Sequence, residues 1–162
     1  MTDNSIQFKR ENVLKLKLKN EMGEDTGEYL EFDLEDIELP LRYQQALEEH
    51  KKNYNSLKNQ LLIISKKEDH TGKKFLSSNQ EASLIALSEF YKKEIKIMDL
   101  FLGEGKTQMI LDKVMRRKPY LTMFNDIMES IEEVSDLFNV GYSSIEDKIK
   151  EKYSKVEDNI LE

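Results

Sequence analysis

Two histidines, a Gly-Lys-Thr run and several carboxylate pairs are the residues of this 162-residue chain that could do chemistry. The run Leu100-Phe101-Leu102-Gly103-Glu104-Gly105-Lys106-Thr107 resembles the end of a phosphate-binding loop, whose glycine-rich backbone cradles phosphates ahead of a helix. Leu100 stands where the first glycine belongs, and the preceding residues follow a helical rather than a buried-strand pattern. An interhelical turn is the favoured reading, and no nucleotide site is assigned. His50 follows Glu48 and Glu49, which invites comparison with the Glu-x-x-His metal motif of helical bundles, but Leu47 occupies the glutamate's place. His70 has no second histidine nearby. A core-edge imidazole and a surface loop residue are the favoured readings of the two. The pairs Glu132-Glu133 and Glu157-Asp158 sit on charged helix faces and read as solvated rather than as acid and base groups. Three basic clusters, Lys66-Lys67, Lys73-Lys74 and Lys113 with Arg116-Arg117-Lys118, could touch phosphate but lack interleaved aromatics, so surface solubility is favoured. No catalytic residue, cofactor or metal is expected.

Composition narrows the class. The chain has no cysteine, which excludes disulfides and thiolate zinc sites and fits a reducing cytoplasm. No secretory segment opens the sequence, and no run of about 18 apolar residues could span a bilayer, so no membrane partner is expected. The formal charge is −7, and residues 118–162 carry −6 of it, 11 acids against 5 bases. The remaining 21 acids and 20 bases nearly balance, which argues against a whole-domain match to nucleic acid.

The elements that must hold these residues can be read from periodicity. Leu14-Lys15-Leu16-Lys17-Leu18-Lys19 answered by Leu30-Glu31-Phe32-Asp33-Leu34 predicts a hairpin with one apolar face and one charge-matched face. Strand one is expected over Val13 to Lys19 and strand two from Glu28, joined by a glycine-containing connection that is mobile or bulged. A hairpin alone is marginal, so helices or another chain must cover its apolar face. After Pro40, the seam Tyr43, Leu47, His50, Tyr54, Leu57, Leu61, Ile64 predicts a helix over 41–67, about 40 Å long, that pairs within the chain or with another copy. Ser77 or Ser78 caps a second helix ending at Gly103, and its wide stripe, including Phe90, Ile97 and Phe101, predicts a central position. A shorter helix is expected from Gly105 to Val114. Another should start at Pro119, with Leu121, Phe124, Ile127 or Met128, Ile131, Val134 and Phe138 on its apolar face and Asn139-Val140-Gly141 as its stop. Ser143 and Glu146 fit a capping box ahead of an amphipathic tail helix.

The fold class is therefore α+β, predominantly α: an N-terminal two-stranded β-hairpin followed by a four- to five-helix body. Residues 1–142 form the domain and 143–162 the C-terminal helix or tail. Long apolar stripes and helical methionines suit an interaction protein. The candidate partner contacts are Tyr43, Leu47 and Tyr54 on the first helix and Ile145, Ile149, Tyr153, Val156 and Ile160 on the tail.

Tyr29-Leu30-Glu31-Phe32-Asp33-Leu34 leading into Leu39-Pro40-Leu41-Arg42-Tyr43, then Phe90-Tyr91-Lys92-Lys93 and Met98-Asp99-Leu100-Phe101-Leu102-Gly103-Glu104-Gly105, and finally Met123-Phe124-Asn125-Asp126-Ile127, carry a resemblance. The chain is similar to tail assembly chaperones of phages and prophages of low-GC Gram-positive bacteria, over about Leu14 to Phe138. The resemblance implies a non-enzymatic cytoplasmic protein that coats the tape measure protein while tail tube subunits polymerise, and that is absent from the mature virion. Such families often make a second, frameshifted product and have no catalytic residues to carry over. A homo-oligomer is compatible with this reading. The alternatives are a structural tail or virion subunit, a small nucleic-acid-binding regulator and, behind them, a helical-bundle enzyme.

Overall fold

Leucines alternating with charged side chains favour extended backbone, and the first regular elements are strands. A computed structural model of the chain describes residues 4–9, 12–72, 74–132, 143 and 146–154. In it β1 spans Val13–Lys19 and β2 spans Asp25–Asp33, paired antiparallel with Leu14 opposite Phe32, Lys15 opposite Glu31 and Leu16 opposite Leu30. β2 starts at Asp25 rather than at Glu28, because Asn20 tightens the turn. Its Oδ1 accepts the N–H groups of Met22 and Glu24, and its own N–H donates to the Glu24 carbonyl. The expected bulge lies between Lys17 and Lys19. Charge matching is less complete than alternation suggests: Lys17 faces Tyr29, and the Lys15 ammonium sits 3.9 Å above that tyrosine's ring.

Helix α1, Glu38–Ser65, holds Pro40 in its first turn, where a missing N–H costs nothing. Ile37 cannot cap it, so Asp36 takes the Glu38 N–H at 3.0 Å and the Arg42 guanidinium at 2.6 Å. The Arg42 hydrogen bond, more than the backbone bond, holds the Asp36 carboxyl below its usual range. Helix α2, Ser78–Leu102, begins with a reciprocal capping box between Ser77 and Gln80 and ends at Gly103, whose φ of +109° is open to glycine. The two helices fold back on each other, so much of the α1 seam, Tyr43, Leu47, His50 and Leu57 included, packs within one chain. Tyr43 stands edge-on to Phe101 with centroids 4.9 Å apart, and Leu57 packs with Ala86 and Phe90.

Past Gly105 the chain forms α3, Lys106–Met109, and continues directly into a π-helical stretch, Ile110–Met115. A regular helix was the expectation. The wider turn puts Ile110, Leu111 and Val114 into the core, while Lys113 reaches Glu28 of β2 at 3.2 Å. Arg116, at φ +51°, stops it. The next helix, α4, spans Met123–Ser130 and does not start at Pro119, because the left-handed Arg116 leads into non-helical backbone over 116–120. Tyr120 instead opens the turn that accepts the Met123 N–H. Leu121, expected on the apolar face, is consequently 46% exposed.

One core joins Leu30 and Phe32 of β2, Leu39 and Ala46 of α1, Ile97 to Leu102 of α2, and the apolar faces of the π stretch and α4. Phe101 lies at its centre, stacked on Phe32 at 5.2 Å, so α2 has neighbours on more than one side as its wide stripe requires. Residues 146–154 are helical and exposed, tied to the β2–α1 connection by Lys148 and Glu35 at 3.7 Å. Glu133, Val134, Phe138, the Asn139-Val140-Gly141 stop, Ile145, Val156, Glu157, Asp158 and Ile160 lie outside the described residues.

Candidate functional site

Histidine 50 is positioned by its place on the α1 seam, which turns it toward α2. There it meets Glu94, a carboxylate only 1% exposed; Nδ1 of His50 lies 2.7 Å from Oε2. Asn53, one helical turn on, donates to Oε1 at 2.8 Å and to the Phe90 carbonyl at 3.3 Å. The imidazole plane is stacked on Phe124 of α4, with centroids 3.8 Å apart and planes 2° from parallel. Both oxygens of the buried carboxylate thus have partners, which is what lets an acid remain in an apolar interface. Such a cluster fixes the register of α1 against α2 and anchors α4. Among the described residues no group of three His, Cys, Asp or Glu side chains is placed to hold a metal ion.

The Gly103–Thr107 turn is filled from inside the chain. Asp99 accepts the Gly105 N–H on Oδ2 and the Thr107 N–H on Oδ1, both at 3.0 Å. The backbone donors that would meet a phosphate are therefore satisfied by a carboxylate one turn earlier on α2, and the run is the interhelical turn its sequence suggests. The basic clusters are similarly engaged in part: Lys113 pairs with Glu28, Arg117 lies 3.4 Å above the Tyr120 ring, and Lys74 approaches Glu81 at 3.9 Å. The Tyr120 hydroxyl is buried close to Asp126 without a well-aligned hydrogen bond among the described residues. Burial first, and then the nearby Asp126 carboxylate, push its pKa up to about 12. His70 is exposed, and its backbone N–H donates to the Ser78 hydroxyl at 3.0 Å.

The candidate partner residues divide. Tyr43 and Leu47 pack against the core of their own chain. Tyr54 is 41% exposed, flanked by the Phe90 ring on one side and the Lys58 ammonium on the other. Ile149 and Tyr153 are exposed on the 146–154 helix, while Ile145, Val156 and Ile160 lie outside the described residues.

A different apolar surface lies where α1 and α2 extend beyond the main core as a two-helix arm around Leu57, Ala86 and Phe90. Leu62, Ile63, Leu84 and Ile85 are each more than half exposed, and Phe75 in the connecting loop is 99% exposed. A groove of about 450 Å³ runs between Leu61, Ile64, Leu76 and Leu84. Nearer the main core, a second groove between α1 and α2 is lined by Glu49, Lys52, Lys93 and Lys96 together with Ile97 and Leu100. Periodicity could not reveal Glu94 and Asn53 as partners, although an acid within the apolar stripe of Phe90, Ile97 and Met98 was the available signal. No described helix is long and apolar enough to cross a membrane. No family model, curated protein or solved structure matches the chain significantly.

Proposed function

We propose that this chain is a non-enzymatic assembly chaperone of the phage tail type, acting in the cytoplasm of a bacterial host. Its client is a tape measure protein, whose apolar helical segments it covers while tail tube subunits polymerise, and it is not retained in the mature virion. The observation that supports this reading is the α1–α2 arm, which exposes Leu62, Leu84 and Phe75 and carries an open groove walled by Leu61, Ile64, Leu76 and Leu84. A groove of that kind accepts the apolar face of an amphipathic helix. The segments that carry the sequence resemblance supply Leu30, Phe32, Leu39, Met98, Phe101, Met123 and Phe124 to a single core, so the likeness runs through the body that holds the arm.

Co-expression with a tape measure protein and tail tube subunits, followed by affinity purification, tests the reading. The tape measure protein should co-purify with the wild-type chain and be lost with Leu62→Asp plus Leu84→Asp, two exposed changes that should leave thermal melting within about 2 °C. Failure to retain the tape measure protein would refute the proposal. Mass spectrometry that finds the chain in purified particles would favour a structural subunit instead, and salt-dependent DNA binding would favour a regulator.

A further inference from the structure

The two edges of the hairpin are not equivalent. β2 carries Leu30 and Phe32 into the core at 0% and 2% exposure, and its flank is bordered by the helical stretch after Gly105 through Lys113 on Glu28 and Lys106 over Tyr29. β1 is more open. Leu14 and Leu16 lie directly opposite those buried residues on the same face, yet they and Leu18 are only partly buried, and among the described residues no strand pairs with the outer side of β1. The Asn12 carbonyl accepts the Leu34 N–H at 3.0 Å, so even-numbered positions turn their backbone groups toward β2. By alternation, the N–H and C=O groups of Val13, Lys15 and Lys17 point outward. On the apolar side of this strand is a cleft of about 360 Å³ between Leu16 and Leu18 and the residues Ile110, Val114, Ile127 and Ile131, whose lining also includes Lys17 and Lys19 and the acids Glu21 and Asp126.

We infer that the outer edge of β1 is a strand-addition site for an extended protein segment in which acidic and apolar residues alternate. The outward backbone groups of Val13, Lys15 and Lys17, which no strand among the described residues pairs, supply the ladder. Apolar residues of the added strand fall on the face shared by Leu14, Leu16 and Leu18 and enter the cleft, completing the burial that β1 lacks. Residues of the other parity fall beside Lys15, Lys17 and Lys19, where acids are attracted and bases repelled. Lysines and a bulge are also what keep an edge strand from indiscriminate pairing. Here the same lysines set the chemistry of the strand that is admitted. The site takes an extended segment rather than a helix and lies away from the arm, so it stands apart from the chaperone reading.

The test uses the full chain and an acetylated, fluorescently labelled heptapeptide of alternating glutamate and valine, with an alternating lysine and valine peptide as its counterpart. Amide exchange of the free chain should be fast at Lys15 and Lys17 and slow at Leu14 and Leu16, and the acidic peptide should slow exchange at both lysines. Anisotropy should show the acidic peptide binding at least about tenfold more tightly than the basic one, with the order reversed by Lys15→Glu plus Lys17→Glu. Circular dichroism establishes that the variant is folded. The inference is overturned if Lys15 and Lys17 are already protected in the free chain, if the two peptides bind equally, or if the acidic peptide fails to bind at concentrations up to about 1 mM.

Discussion

Replacing Glu94 by alanine should be among the most damaging single changes in the chain, and its cost can be worked from the geometry. The carboxylate is 1% exposed and holds His50 at 2.7 Å and Asn53 at 2.8 Å. Truncation removes both bonds. Asn53 keeps only its 3.3 Å bond to the Phe90 carbonyl, and the imidazole, 17% exposed and pinned against Phe124, regains water only partly. An orphaned buried polar group costs about 1–3 kcal/mol, so leaving both His50 and Asn53 short of a partner totals about 2–6 kcal/mol. Taking roughly 4 kcal/mol, and about 2–4 °C per kcal/mol for a chain of this length, thermal melting followed by circular dichroism should fall by about 8–16 °C. Glu94→Gln keeps an acceptor for Asn53 and should lose about half as much. A double-mutant cycle with Asn53→Ala should fall short of additivity by about 1–2 kcal/mol, because the partner is already missing. A drop below about 2 °C for Glu94→Ala, or strict additivity in the cycle, would refute the claim that this cluster locks α1 to α2.

Other consequences are open to direct measurement. Gly103→Ala must hold a side chain at φ +109° with its Cβ 3.3 Å from Lys106 Cγ, and urea titration should report a loss of about 1–3 kcal/mol. Asp99→Ala uncaps the Gly105 and Thr107 N–H groups and should cost about 1–2 kcal/mol by the same titration, without any phosphate effect on melting. The Tyr120 phenol should ionise near pH 12, read as the difference in phenolate absorbance between wild type and Tyr120→Phe; a midpoint near 10 would contradict its burial. Since the folded form keeps this proton to higher pH than the unfolded chain, the associated stability is intact below about pH 10 and disappears as pH rises toward 12. Truncation after residue 142 should leave a cooperative melting transition, because no described residue beyond 142 belongs to the main core.

Much of the framework was legible because it is written in short-range spacing. The strand Val13–Lys19, a serine cap at Ser77 or Ser78 and the Gly103 stop each depend on residues close in sequence, and the structure settles the cap on Ser77 with Gln80 as its partner. Pro119 misled for a complementary reason. A proline is compatible with a helix start but does not compel one, and Arg116 in the left-handed region had already sent the backbone elsewhere. The π stretch at Ile110–Met115 left no mark in the apolar pattern, since Ile110, Leu111 and Val114 are also compatible with an ordinary helix.

By itself, the sequence determined the hairpin and the two long helices in their order, because alternation and the three-to-four repeat are properties of a segment and its immediate neighbours. Tertiary structure decided which apolar faces meet. The α1 seam could have paired with α2 or with another copy, and the choice is expressed in contacts such as His50 with Glu94, 44 residues apart, that no local pattern specifies. Among the described residues, the same separation in space, rather than along the chain, leaves the α1–α2 groove and the β1 edge without a covering element while burying Leu30 and Phe32 of the neighbouring strand. A face is recognised as apolar from its own residues, but whether it is covered depends on where every other element comes to rest.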